Sequence, residues 1–254
     1  MKQIIRFFLK HVPRKYLQLF AQLVTRTISV FYIGDKVECT VCCNHYHKFL
    51  PYGYGKLREN ALCPHCLALE RHRLIQLYLQ NKTDFYTANP KVLHVAPEFC
   101  FIKRFEKLLD DNYITADLES PLAKVKMDVQ DIPFPDNSFD VILCNHIMEH
   151  VDNDLKALQE LCRVLRPGGW GIIQSPVNYS REITYEDPCI TTPEERARHF
   201  GQCDHLREFG ADYGKRLEKG GFIVVEDDYV KTLPKADIIR YALPANEIIY
   251  LVRK

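Results

Sequence analysis

An α/β fold with a parallel sheet covered by helices is predicted for residues 88–254. Two observations predict it: apolar strand-like runs alternate with helical ones, and Pro, Gly and Asn punctuate the joins between them. A third observation, two C-x-x-C pairs upstream, predicts a small metal-stapled module ahead of the sheet. The chain divides on this reading into a basic amphipathic segment (1–35), a zinc-ribbon-like module with a helix (36–87) and the sheet domain (88–254).

Composition sets the outer limits. The 254 residues are 46% apolar and 26% charged, which excludes wholesale disorder and fibrous structure. Lysine plus arginine (34) nearly balances aspartate plus glutamate (33), so the net charge draws no polyanion and nucleic-acid binding would need a local patch. Ten cysteines in a chain of this length, four of them in C-x-x-C units, favour metal binding in a reducing compartment and hence a cytoplasmic protein.

The first segment carries Lys2, Arg6, Lys10, Arg14, Lys15 and Arg26 with no acid before Asp35. Charges interrupt it too often for a spanning helix of about 20 apolar residues, and no small-residue cleavage site follows an apolar run. Tyr16, Phe20, Leu23, Val24 and Ile28 recur at helical spacing, which predicts a helix that docks on the main domain; peripheral contact with an anionic membrane is the alternative.

Cys39-x-x-Cys42 and Cys63-x-x-Cys66 are separated by twenty residues, the spacing of a four-cysteine zinc ribbon. Such a shell is closed, so the zinc would be structural and would supply folding energy where little core is available. Cys43 could replace Cys42, and His45, His47 and His65 lie near enough to intrude. Lys56, Arg58, Arg71, His72 and Arg73, interleaved with Tyr46, Phe49, Tyr52 and Tyr54, read either as a surface for RNA or, preferably, as a solvated face on which Glu70 pairs with Arg73.

In the sheet domain KVLHVA, YITADL, KVKMDV, FDVILCN and WGIIQSP read as strands, and FIKRFEKLLDD and DLKALQELCRVL as helices. The helix from Asn153 should bury Leu155, Leu158, Leu161, Cys162 and Leu165 and end at Pro167-Gly168-Gly169. A helix near 210–219 and strands FIVVED and EIIYLV follow. Residues 179–209 form a long polar insertion of the kind that walls a substrate site, with His199, Asp204, His205 and Arg207 as polar candidates. A zinc site at Cys189, Cys203 and His205 is rejected for its irregular spacing.

Residues 128–177, DVQDIPFPDNSFDVILCNHIMEHVDNDLKALQELCRVLRPGGWGIIQSPV, resemble the class I S-adenosylmethionine (SAM) dependent methyltransferases, in particular the type 11 subgroup. The resemblance implies a Rossmann-like sheet, mostly parallel with the last strand antiparallel, and a methyl transfer from SAM to an acceptor the sequence does not identify. It implies cofactor contacts at His94, Ala96 and Glu98 in the loop after the first strand. It implies others at Asp117 and Leu118 at the ribose, Asp128 and Val129 at the adenine, and Asn145. The loop departs from the family, with His94 in place of an acid and Ala96, Glu98 and Cys100 in place of glycines. His146 and His150 are the catalytic candidates. The competing reading is a non-catalytic zinc-containing module that binds RNA or protein on a degenerate fold.

Overall fold

The computed structural model describes residues 24–53 and 57–254. Tyr16, Phe20, Leu23, Tyr54 and Lys56 therefore lie outside the described residues. Residues 24–29 are helical; Val24 and Ile28 there, and Val30, Phe31 and Ile33 just after, are exposed. No helix among the described residues is long and apolar enough to cross a membrane.

Two small hairpins open the described chain. Strand β1 (Ile33–Glu38) pairs antiparallel with β2 (His45–Tyr46), and β3 (Leu50–Tyr52) with β4 (Arg58–Leu62). Helix α1 (Glu70–Lys82) follows, then β5 (Val92–Val95), α2 (Phe99–Leu109), β6 (Tyr113–Asp117), β7 (Val125–Lys126), β8 (Phe139–Asn145), α3 (Asp154–Val164) and β9 (Leu165–Gln174). The insertion contains β10 (Tyr185–Glu186), α4 (Pro193–His199) and β11 (Arg207–Glu208). Helix α5 (Tyr213–Lys219), β12 (Ile223–Asp227), α6 (Lys235–Arg240) and β13 (Ile249–Arg253) complete the chain.

Seven strands form one sheet in the order β12-β13-β9-β8-β5-β6-β7. Strands β5 to β9 run parallel, and β13 is antiparallel to both β9 and β12. The Rossmann-like, mostly parallel sheet with an antiparallel last strand is thus present. Successive side chains alternate between its faces, so Val92, Val141 and Leu143 face one core and Leu93, Ile142 and Cys144 the other. On the second face lie Ala157, Leu158 and Leu161 of α3 and Leu217 of α5. On the first lie Leu74, Ile75 and Tyr78 of α1 and Phe101 and Phe105 of α2.

That first core runs without a break into Cys39, Phe49, Cys63 and Cys66. The residues before 88 therefore cover one face of the sheet. Arg73 is the fastener. Fully buried in α1, its guanidinium donates to the carbonyls of Ala61, Ala68, Tyr241 and Ala242 and stacks on Phe49. It is neither a surface contact nor the partner of Glu70, which pairs with Arg58 at 2.9 Å. His72, Tyr46 and Phe49 are buried as well, so with Arg73 four of the seven described residues of the proposed basic and aromatic surface are interior.

Two expectations about α3 need correction. Its buried stripe is Asp154, Ala157, Leu158, Leu161 and Val164, while Leu155 is exposed. The helix is capped by Asn153, whose side chain accepts from the Lys156 amide at 2.9 Å. It ends at Val164, and β9 runs straight through Pro167-Gly168-Gly169. The cause is close approach: a Cβ on Gly169 would sit 2.9 Å from the Asp140 carbonyl, so the glycine serves strand pairing and not a helix cap.

Candidate functional site at the carboxyl ends of β5 and β8

Strand order reverses between β5 and β8, where the chain crosses from one side of β5 to the other. In such sheets the crevice outside the carboxyl ends at the reversal is where ligands bind. Both strands end there in a left-handed residue that is not glycine, Ala96 (φ 48°) after β5 and His146 (φ 57°) after β8. Each such residue costs about 1 kcal/mol or more, and strain of this kind gathers at functional sites. At Ala96 the backbone takes a conformation that glycine adopts without strain, held by its amide donating to the Ala116 carbonyl at 2.8 Å.

Glu98 stands at the centre. Its carboxylate contacts His94 Nε2 at 2.5 Å and accepts from the Asn145 amide at 2.9 Å. Burial pushes this carboxyl up, but His94, His72 and Asn145 outweigh it and hold the pKa at about 2. His94 is wholly buried and contacts the Tyr113 hydroxyl at 2.7 Å through its other nitrogen. It meets the crevice through Glu98, whose carboxylate it orients.

Helix α1 adds residues that sequence reasoning did not place here. His72 Nδ1 accepts from the Leu69 amide at 3.1 Å, which leaves the proton on Nε2, 4.0 Å from Glu98. Burial and the neighbouring Arg71 hold His72 neutral, with its pKa lowered to about 3. Burial also pushes the Glu247 carboxyl up, opposed by His146 and Arg71 beside it. Four buried polar atoms in this cluster have no hydrogen-bond partner among the described residues: His72 Nε2, Arg71 Nε, Asn145 Oδ1 and His146 Nε2. Buried polar atoms are rarely left so, and a zwitterionic ligand offering both donors and acceptors fits them. Residues 71 and 72 carry no local signal of this role because α1 reaches the crevice only through tertiary packing.

Asp117 and Asp128 each cap a turn. Asp117 Oδ1 accepts from the amides of Glu119 and Ser120 at 2.8 and 2.7 Å, leaving Oδ2 for a ligand. Asp128 Oδ1 accepts from the Gln130 amide at 2.8 Å. Leu118 beside Asp117 is 54% exposed, whereas Val129 is buried.

On the far side of Asn145 the cluster continues. His146 Nδ1 lies 3.3 Å from Glu149 Oε1, and the Ser175 hydroxyl donates to Glu149 Oε2 at 2.9 Å. His150 Nε2 stands 4.0 Å from the same Glu149 oxygen. The insertion closes over this turn: the Leu206 amide donates to the Glu149 carbonyl, and Arg207 donates to the carbonyls of Met148, Val151 and Asp152. A cavity of about 370 Å³ opens between them, lined by Glu149, Val177, Asn178, Phe200 and His205 among others, a size suited to a small molecule.

The four cysteines converge. Cys39, Cys42, Cys63 and Cys66 place their sulfurs within 4.8 Å of one another, with Cys39–Cys66 at 3.6 Å and Cys42–Cys63 at 3.7 Å. A zinc tetrahedron with bonds of about 2.3 Å has edges of about 3.8 Å. Each pair sits on the same turn: the amide after the second cysteine, Cys43 or Leu67, donates to the carbonyl of the first, and both residues are left-handed. Cys43 is exposed and outside the cluster. His45 bonds to Asp35 and His47 stacks on Tyr32.

Comparison with known proteins bears on residues 88–173, which match the family described as "Methyltransferase domain". Ajmaline N-methyltransferase of Rauvolfia serpentina is 34% identical over 79 residues, 31% of this chain and 26% of that protein. The mitochondrial arginine-hydroxylase NDUFAF5 of Rattus norvegicus is 27% identical over 124 residues, 47% of this chain and 35% of that one. The chain thus spans about a quarter to a third of the length of these relatives. Among solved structures, the [4+2]-cyclase SpnF aligns with a TM-score of 0.49 at 16% identity, covering 72% of this chain and 80% of its own. The Burkholderia thailandensis 1,6-didemethyltoxoflavin-N1-methyltransferase, solved with S-adenosylhomocysteine, aligns with a TM-score of 0.42 at 18% identity, covering 65% and 71%. Over about a third of its length, then, the chain carries the sequence pattern of a methyltransferase domain.

Proposed function

We propose that the protein is a SAM-dependent methyltransferase whose N-terminal module holds a structural zinc ion. The observation that carries the reading is the group of unsatisfied buried polar atoms at the point where strand order reverses, within the segment that matches the methyltransferase domain. Relatives and neighbours of this chain include a hydroxylase and a cyclase, so the activity is argued from the site itself.

Glu98 and Asn145 would hold the ammonium of the methionine moiety and Arg71 its carboxylate. Asp117 Oδ2 would receive the ribose hydroxyls, with Leu118 beside it. Asp128 and Val129 would bound the adenine, and Ala96 would let the backbone approach. When bound, SAM supplies an activated sulfonium methyl, so the chain's task is an in-line approach and exclusion of water. Where the acceptor carries a proton, His146 is placed to take it: Glu149 orients Nδ1, leaving Nε2 as the base. Zinc held by Cys39, Cys42, Cys63 and Cys66 would close the hairpins that pack on the sheet.

Isothermal titration of SAM into zinc-loaded protein tests the reading. Saturable binding that Asp117→Ala weakens by tenfold or more is expected, and absence of binding by folded protein would overturn it. In that event the non-catalytic alternative, a module binding RNA or protein, takes its place.

A further inference from the structure

We infer that Glu149, His150 and His205 form a second metal site, for a divalent transition ion, at the edge of the 370 Å³ cavity, which Glu149 and His205 line. The three side chains offer one carboxylate oxygen and two imidazole nitrogens, all within 4.8 Å of one another. Glu149 and His205 are buried, and His150 is partly so.

The hydrogen bonds around the two rings decide what they present. His150 Nδ1 faces the Asp204 carbonyl at 3.2 Å, and His205 Nδ1 faces the Phe200 carbonyl at 3.1 Å. A carbonyl only accepts, so in each neutral ring the proton sits on Nδ1 and the lone pair on Nε2. That is how histidines are commonly held when they ligate metal, the outer nitrogen donating to a carbonyl that fixes tautomer and ring. The rings pack edge to face, with centroids 4.8 Å apart. His150 Nε2 then confronts Glu149 Oε1 at 4.0 Å, acceptor against acceptor. Two ligands of an ion with bonds of about 2.1 Å lie at most about 4.2 Å apart, so that pair already spans a coordination sphere.

The frame is rigid. The turn carrying Glu149 and His150 is stapled to the segment carrying His205 by the Leu206 amide and by the three carbonyl bonds of Arg207. Two imidazoles and one carboxylate leave coordination positions open, and the cavity lies beside them. An acceptor with a hydroxyl or enol oxygen could enter the sphere and release its proton to solvent more readily there. His150 on this reading is a metal ligand and not a base. The metal site stands on these side chains alone, whereas its service to a methyl acceptor rests on the methyltransferase reading.

The test titrates Co(II) into protein carrying one equivalent of zinc, which thiolates take preferentially. One further equivalent is expected, with weak visible bands and without the intense thiolate-to-cobalt absorption that filling the cysteine site would give. His150→Ala and His205→Ala should each weaken uptake by about tenfold or more. Should His205→Ala fail to fold, His150, at 33% side-chain exposure, carries the comparison. No uptake beyond the zinc, or uptake that neither substitution changes, overturns the inference. SAM titration of the same samples separates the two readings: cobalt uptake without SAM binding removes the methyltransferase and leaves the metal site.

Discussion

His72 shows how far a residue's role depends on its surroundings. In sequence it is one of several basic residues after Cys66; in the fold it is buried, neutral and aimed at Glu98. Its folded pKa of about 3 lies below the ordinary value near 6.5. Between those values the unfolded chain binds a proton that the folded chain does not, so stability falls as pH drops through this window. Lowering the pH from 7 to 5 should therefore remove roughly 2 kcal/mol through His72. Urea titrations at both pH values should show that loss in the wild type and a loss smaller by about that amount in His72→Gln; equal losses would refute it. Glu98 has the same sign, its contribution being present above about pH 4.3 and lost toward its folded pKa of about 2.

At the scale of elements, α1 matters most. A helix was expected within residues 36–87, but not as the element that joins the hairpins to the C-terminal segment through Arg73. Removing that guanidinium leaves the carbonyls of Ala61, Ala68, Tyr241 and Ala242 without their donor. Arg73→Met should cost about 3 kcal/mol or more, read as a shift of the denaturant midpoint. A loss below about 1 kcal/mol would mean that those carbonyls find other donors. The spacing of apolar residues located the sheet strands and their order of appearance, because a strand buried on both faces is a continuous apolar run. The end of α3 was misplaced, because Pro167-Gly168-Gly169 is the usual helix-stop pattern and only the approach of β8 shows that the glycines belong to β9.

At the scale of the whole molecule, the continuous core ties the four-cysteine module to the sheet. Trp170, the one tryptophan of the chain, lies on β9 and packs at 6.4 Å on Phe85, which belongs to the core shared with Cys39 and Cys63. Stripping zinc with a chelator should therefore change Trp170 fluorescence and lower the melting temperature of the sheet by several degrees. An unchanged sheet transition would show that the module unfolds independently.

By itself the sequence determined the four cysteines that converge, the α/β class and the stretch that carries the methyltransferase pattern, because spacing and periodicity are local properties that survive in one dimension. It also placed Asn145, His146 and His150 at the end of one strand. Only the tertiary structure decided which of these residues meet. It brought His72 from α1 to Glu98 and its neighbour Arg71 to Glu247, withdrew His94 and Arg73 into the interior, and set His205 from the insertion against Glu149 and His150. Such pairings join residues far apart in the chain, and the packing that creates them leaves no period in the sequence to read.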